Sequence, residues 1–404
     1  MKYSELIEKY EKGELNETEA GEVERDIERH EAISDYLAER EDIPELEMFH
    51  SNGNKGEAAQ NDGAADFTKK IKRQIRRAFL KAGLITGLLV LGIVLFCTYA
   101  LPKIVDRLNY DPTEIVGMYK DSDGKVWDQV KTNRISRDIA VYSELLLPAG
   151  FRELVSAESS GYGRYSICVH QNFANGGSFR DVAGVIDRGK LTLYDPNLIK
   201  LPVVNLFDTV AAGVHGGVRV SFEGLYDLDY ALNGAEEGEQ RVIYVTFNRP
   251  MDYDEVIAWC ERNDVSAMWG AVCTGDEVKT PCFFGARFAL TSVMQGFDDE
   301  KYPYLSVYSL SDATDRTENY AGKELMTKHI VSLLNWFSDN RSDMKLFYPD
   351  AEVDSVADGM RESAEYIAEN GFSVYGIALT GDAETIERLY GLEGVAYMFS
   401  EGVN

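Results

Sequence analysis

A chain of 404 residues with 41 basic and 68 acidic side chains, net charge -27, is long enough for a real hydrophobic core and too acidic to grip nucleic acid directly, because phosphate contacts need Lys and Arg. Its five cysteines never take CxxC spacing, so the sequence supports no metal site and no cofactor. The charge is unevenly placed: residues 1 to 66 carry 20 acidic and 7 basic side chains, while residues 67 to 81 carry 7 basic and none acidic.

Tyr3 to Glu11 reads as a short helix ended by Gly13. Asn16 then caps a second helix, with Glu19 three residues on as the return partner of a capping box. Val23, Ile27, Ile33, Tyr36 and Leu37 fall near helical spacing and give an apolar stripe on a Glu-rich rod. Two such short helices bury a stripe poorly by themselves, so this all-α segment, 1-43, wants a partner groove, and the stripe residues are its candidate partner-binding side chains. Residues 44-66, rich in Gly, Asn, Ala and Glu, read as a flexible linker.

A basic juxtamembrane segment, 67-81, holds Lys69, Lys70, Lys72, Arg73, Arg76, Arg77 and Lys81. It runs straight into AGLITGLLVLGIVLFCTYAL at 82-101, which has no charge and the length of one transmembrane helix. The basic flank predicts a cytoplasmic N-terminus and an extracytoplasmic C-terminus, hence a single-pass protein of the cell membrane. A signal peptide would carry its charged region at the very N-terminus, and about 65 polar residues precede this one. The cytoplasmic part is then too short for an enzyme.

The remainder predicts an α+β extracytoplasmic region in two parts. Residues 102-235 are β-rich: a hairpin turns at Asp123-Gly124, a helix lies near Arg137 to Leu147, and short strands follow at Tyr165 to Val169, Val182 to Ile186 and Leu191 to Tyr194. The acidic stretch Asn233 to Glu239 is the candidate boundary to a second part, 236-404. There Arg241 to Phe247, a helix opening at Asp252, and Ala267 to Cys273 make one β-α-β unit. Ser373 to Leu379, a helix after Thr380-Gly381-Asp382, and Val395 to Phe399 make another, and the two units can pair in one sheet. Between them one helix is striped by Leu325, Ile330, Leu333, Leu334 and Phe337, and a second is stopped by Gly371. The spacing of Cys273 and Cys282 suits a bridged loop or two reduced, buried thiols equally well.

No catalytic pattern survives inspection: GxSxG, GxxxxGK[ST], HExxH and a strand-to-helix GxGxxG are all absent, and His170, His215 and His329 are scattered. Thr380-Gly381-Asp382 is what any strand-to-helix turn requires, and that reading outweighs an anion site at the helix N-terminus.

Three stretches together resemble the sigma-factor-regulator family of membrane-bound anti-sigma factors of Gram-positive bacteria. FTKKIKRQIRR at Phe67 to Arg77, running into the span and on to Asp111-Pro112, looks like that family's N-terminal module. VYGIALTGDAETIERL at Val374 to Leu389 looks like the closing motif of its C-terminal module. YEKGELNETEAGEVERDIERHEAISDYL at Tyr10 to Leu37 is similar to the helices with which anti-sigma domains clasp extracytoplasmic-function sigma factors. The zinc-containing versions carry His-x3-Cys-x2-Cys on this helix; here Ser34 and Leu37 follow His30, which implies a zinc-free form. The resemblance implies a protein that is not an enzyme, sequesters such a sigma factor with its N-terminal helices, and takes a signal from an envelope protein or ligand through its ectodomain. The alternative is a membrane-anchored sensor or binding protein that touches no sigma factor.

Overall fold

The structure, a computed structural model, describes residues 9-10, 12-13, 15-40, 63-120, 126-148, 150-173, 178-195, 206-214, 227-275, 278, 283-288, 295-306, 320-348 and 350-402. They fall into two compact units, Met1–Gly87 and Leu88–Asn404.

In the first unit, helix α1 (Glu17–Arg40) starts as its sequence demands: the Asn16 side chain accepts from the Glu19 amide at 2.9 Å, satisfying one of the open N-terminal donors. Helix α2 (Gly63–Leu95) begins three residues before the expected end of the linker, because no proline stands between Gly63 and Leu101 and its Ala, Lys, Arg and Leu residues propagate a helix. Lys72, Arg73, Arg76, Arg77 and Lys81 are exposed along it; Lys69 and Lys70 lie on the same helix, their side chains outside the described ones.

Helix α2 passes through one π-helical turn, Phe96–Ala100, into α3 (Leu101–Leu108). Pro102 accounts for this turn. It has no amide hydrogen to donate, and its ring crowds the carbonyl four residues back, so the Leu101 amide bonds to Phe96 O, five residues back. The helical stretch Lys72–Leu108 has an apolar window in which nothing is buried; Leu84, Ile85, Leu88, Leu89, Leu91 and Ile93 are all at least half exposed. An apolar helix with no protein against it is what a bilayer solvates, and this one fits a single-pass membrane protein.

Strands β1 (Ile115–Lys120) and β2 (Val126–Asn133) form an antiparallel pair in which Tyr119 faces Trp127 and Lys120 faces Val126. The expected turn at Asp123-Gly124 lies outside the described residues. Strands β3 (Gly150–Gly161), β4 (Arg164–Phe173), β5 (Ser178–Asp187) and β6 (Lys190–Leu193) form an antiparallel meander. Its period-2 pattern is clean on β4, where Tyr165, Ile167 and Val169 are buried and Arg164 and Ser166 exposed. Two tight turns at one end of this sheet carry paired positive φ values, Tyr162 (59°) with Gly163 (73°) and Arg188 (51°) with Gly189 (80°), as two-residue hairpins require.

The second sheet has the order β11-β7-β10-β8-β9, every neighbour antiparallel, built from β7 (Arg241–Asp252), β8 (Ala267–Cys273), β9 (Phe284–Arg287), β10 (Ser373–Gly381) and β11 (Val395–Gly402). The two expected β-α-β units are present and interleaved. In each, the two strands run parallel with one strand of the other unit between them, which is the split β-α-β arrangement of ferredoxin-like sheets with β9 added at one edge. One face of this sheet (Ile243, Val245, Phe247, Ile377, Leu379) belongs to the main core with α7 (Lys323–Asp339) and α9 (Asp350–Asn370). The other (Tyr244, Trp269, Tyr375) is covered by Leu206, Phe207 and Ala212. Phe207 stacks on Trp269 at 5.9 Å and meets the edges of Tyr244 and Tyr375, over Gly376, where a Cβ would lie 2.4 Å from the Phe207 ring.

Helix α4 (Arg134–Leu146) is shared by both sheets. It packs on β3 and also on β9 and α7, so that one core runs from Ile135 to Met398 across the acidic stretch at 233-239. That stretch is itself tied down: Asn233 donates to Ser400 O at 2.8 Å, and Arg241 bonds to Glu239 and to Asn233 O.

Candidate functional site

The candidate partner-binding residues divide once their helix is seen. Val23 is buried to 1 % exposure, while Ile27 (38 %) and Ile33 (49 %) stand open on α1. Tyr36 and Leu37 lie on the same helix, their side chains outside the described ones. Tyr10 donates to Glu24 at 3.2 Å, a bond to a carboxylate that holds the phenol above its ordinary pKa. Glu22, Glu24 and Glu28 are exposed, so the two open isoleucines are bordered by negative charge.

In the second unit the buried polar groups gather along α4. Its cap, Asn133, accepts from the Ser136 amide at 2.9 Å and donates to Val155 O at 2.7 Å, while Ser136 Oγ accepts from the Val155 amide, fastening the helix to β3. Asp138, fully buried, accepts from the Tyr110 hydroxyl at 2.7 Å and pairs with Arg137 at 2.9 Å; Arg134 reaches Asp343 at 2.7 Å. Burial pushes the Asp138 carboxyl up to about 6 against the pull of Arg137. Six residues further on, Glu144 pairs with His329 of α7 at 2.7 Å, the other ring nitrogen of His329 faces Tyr304 O at 2.7 Å, and Trp269 donates to Glu144 O at 2.6 Å. Burial alone would raise the Glu144 carboxyl, yet the His329 ring holds it below its ordinary value. These groups pair internally and join α4 to the second sheet.

At Thr380-Gly381-Asp382 the Asp382 carboxylate caps helix α10 (Ala383–Leu389) by accepting from the Thr385 amide and hydroxyl, both at 2.9 Å, so the anionic position is filled by the chain itself. Cys273 is buried at the end of β8, but its proposed partner Cys282 lies outside the described residues.

One constellation escaped sequence reading. Among the described residues, Cys168, His170 and Asp181 are the His, Cys or carboxylate side chains grouped closely enough to hold an ion, with donor atoms all within 4.8 Å of one another. The signal was there in part: Cys168-x-His170 on a strand puts both side chains on one face, but the register that sets Asp181 opposite His170 is a property of the hairpin.

A split β-α-β sheet with an extra edge strand follows a helix long and apolar enough to cross a membrane, and this fold alone assigns no chemistry or partner to the chain. Residues 232–399, which run from the end of α5 (Leu228–Leu232) to β11, match the family model described as sigma factor regulator C-terminal, so this part of the chain is similar to sigma-factor regulators. No curated protein and no solved structure matches the chain.

Proposed function

We propose that this protein is a single-pass membrane anti-sigma factor that holds an extracytoplasmic-function sigma factor through α1 and takes an envelope signal through its ectodomain. The observation that carries the reading is the match of residues 232–399 to the sigma factor regulator C-terminal model, in a chain that also has one unpacked apolar helix behind a basic flank. The α1 geometry supports it. Ile27 and Ile33 offer exposed apolar contacts, and the surrounding glutamates complement a partner with basic DNA-binding faces. The N-terminus is cytoplasmic and the C-terminus outside, by the basic flank. The protein makes and breaks no bond; it acts by occupancy.

The test is Ile27→Asp, which sets an unpaired carboxylate in the proposed interface. Because each 1.4 kcal/mol lowers affinity about tenfold, a cost of several kcal/mol releases the partner. The variant should lose a copurifying sigma factor and raise transcription from its promoters. A wild-type transcriptome, with normal amounts of the variant in the membrane, would overturn the assignment. Reporter fusions at Asp66 and Asn404 should report opposite compartments.

A further inference from the structure

We propose that Cys168, His170 and Asp181 form a binding site for one zinc-class divalent cation on the outer face of the four-stranded sheet. Cys168 and His170 are two residues apart on β4 and share its solvent face, the opposite of the one that buries Tyr165, Ile167 and Val169. Asp181 is the cross-strand partner of His170 on β5, and their side chains meet at 2.6 Å between Nδ1 and Oδ1. The residue opposite Cys168 on β5 is the small Ala183. The β4–β5 ladder runs from Arg164↔Asp187 to Phe173↔Ser178 without a register shift, whereas β3–β4 is shifted twice, so the three ligands stand on the more regular pair of strands. A rigid backbone beneath ligand side chains is what a metal site needs.

The donor set selects the cation. A thiolate, an imidazole and a carboxylate suit Zn2+ and its relatives, while Ca2+ and Mg2+ require oxygen ligands. Three protein ligands leave a tetrahedral position for water or an incoming ligand, the arrangement of an exchangeable site. Asp181 has no partner other than His170 among the ion pairs of the described residues, so no lysine or arginine there competes for it.

The inference is independent of the anti-sigma reading and is tested by metal alone. The full chain, purified reduced in detergent micelles, is titrated with Co2+ and followed by absorbance. One equivalent should produce tetrahedral d–d bands together with a near-ultraviolet thiolate-to-metal band, both abolished by Zn2+. Cys168→Ser should lose the thiolate band, and Asp181→Asn and His170→Gln should weaken binding about tenfold or more. All three side chains lie on the outer face, so circular dichroism of the variants should match wild type. The site is overturned if no thiolate band appears, or if the band survives unchanged in Cys168→Ser; in the first case His170 and Asp181 are only a cross-strand ion pair.

Discussion

The Tyr162 hydroxyl donates to the backbone carbonyl of Cys97, joining the β3–β4 turn to the helix that carries the apolar span. The π-helical turn makes that carbonyl available. The Leu101 amide bonds to Phe96 O, and the next residue, Pro102, has no amide hydrogen, so Cys97 O has neither of its usual helical donors. Gly163 reinforces the tie, its amide donating to Asp106 at 2.7 Å. Cys97 lies within the apolar stretch and near its end, where a tyrosine is at home with its ring in the interface.

Tyr162→Phe keeps the ring and removes the donor. A loss of about 1 kcal/mol in local stability is expected, since the carbonyl is left unsatisfied. Hydrogen exchange on the full chain in micelles should speed up at the β3–β4 turn and around Leu101, with the second sheet unchanged. Unaltered protection at both places would show that the bond carries no coupling.

The division of the α1 stripe gives a second pair of outcomes. Val23→Ala removes two buried methyl groups and should destabilise the N-terminal unit by on the order of 1 to 2 kcal/mol, visible as faster exchange along α1. Ile27→Ala, at 38 % exposure, should leave α1 exchange nearly unchanged and lower partner affinity instead. If the two variants behave alike in both assays, the stripe does not divide into a structural and a docking half.

Much of this fold is legible in residue periodicity. The alternation of Tyr165, Ile167 and Val169, the 3.6-residue stripe from Leu325 to Phe337, and the stop at Gly371, with its φ of 74°, all appear where the pattern sets them. The interleaving of the two β-α-β units is not legible, because strand order depends on which edges meet in space and not on local pattern. Helix α4 lies close to where the sequence sets a helix, Arg137 to Leu147, but its burial is not legible there: Ser136, Asp138, Ser143 and Glu144 are polar yet buried, their groups satisfied by partners as distant in sequence as His329. For the functional site the sequence showed the stripe but not its split, since Val23 and Ile27 share one face and differ only in what covers them.

The Glu144–His329 pair is a buried ion pair between α4 and α7, at 3 % and 1 % exposure. Removing one partner leaves the other charge uncompensated, so His329→Leu should cost about 3 to 5 kcal/mol. The double variant Glu144→Leu/His329→Leu should cost clearly less than the sum of the two single changes, because it removes both charges. Thermal unfolding of the four proteins closes the cycle; strict additivity would mean that the two groups do not interact.

Asp138 supplies the pH dependence of the same helix. Its carboxyl sits at about 6 because burial disfavours its charge; Arg137 and the Tyr110 hydroxyl oppose this, and Asp343 adds like-charge repulsion. The unfolded chain should titrate this group near the ordinary value of about 3.9, so between roughly pH 4 and 6 the folded state binds more protons. Its contribution to stability is therefore greatest at the acid end of that window and falls as pH rises through 6, by on the order of 3 kcal/mol. Glu144 works in the opposite sense at lower pH: its depressed pKa gives stability that is lost on acidification below about 4.5. Comparing wild type with Asp138→Asn isolates the first effect, because Glu144 is common to both. The difference in unfolding free energy between the two proteins should change across pH 4 to 6 and level off above pH 7. Parallel curves over that range would show that Asp138 does not titrate in the folded protein at the position its burial implies.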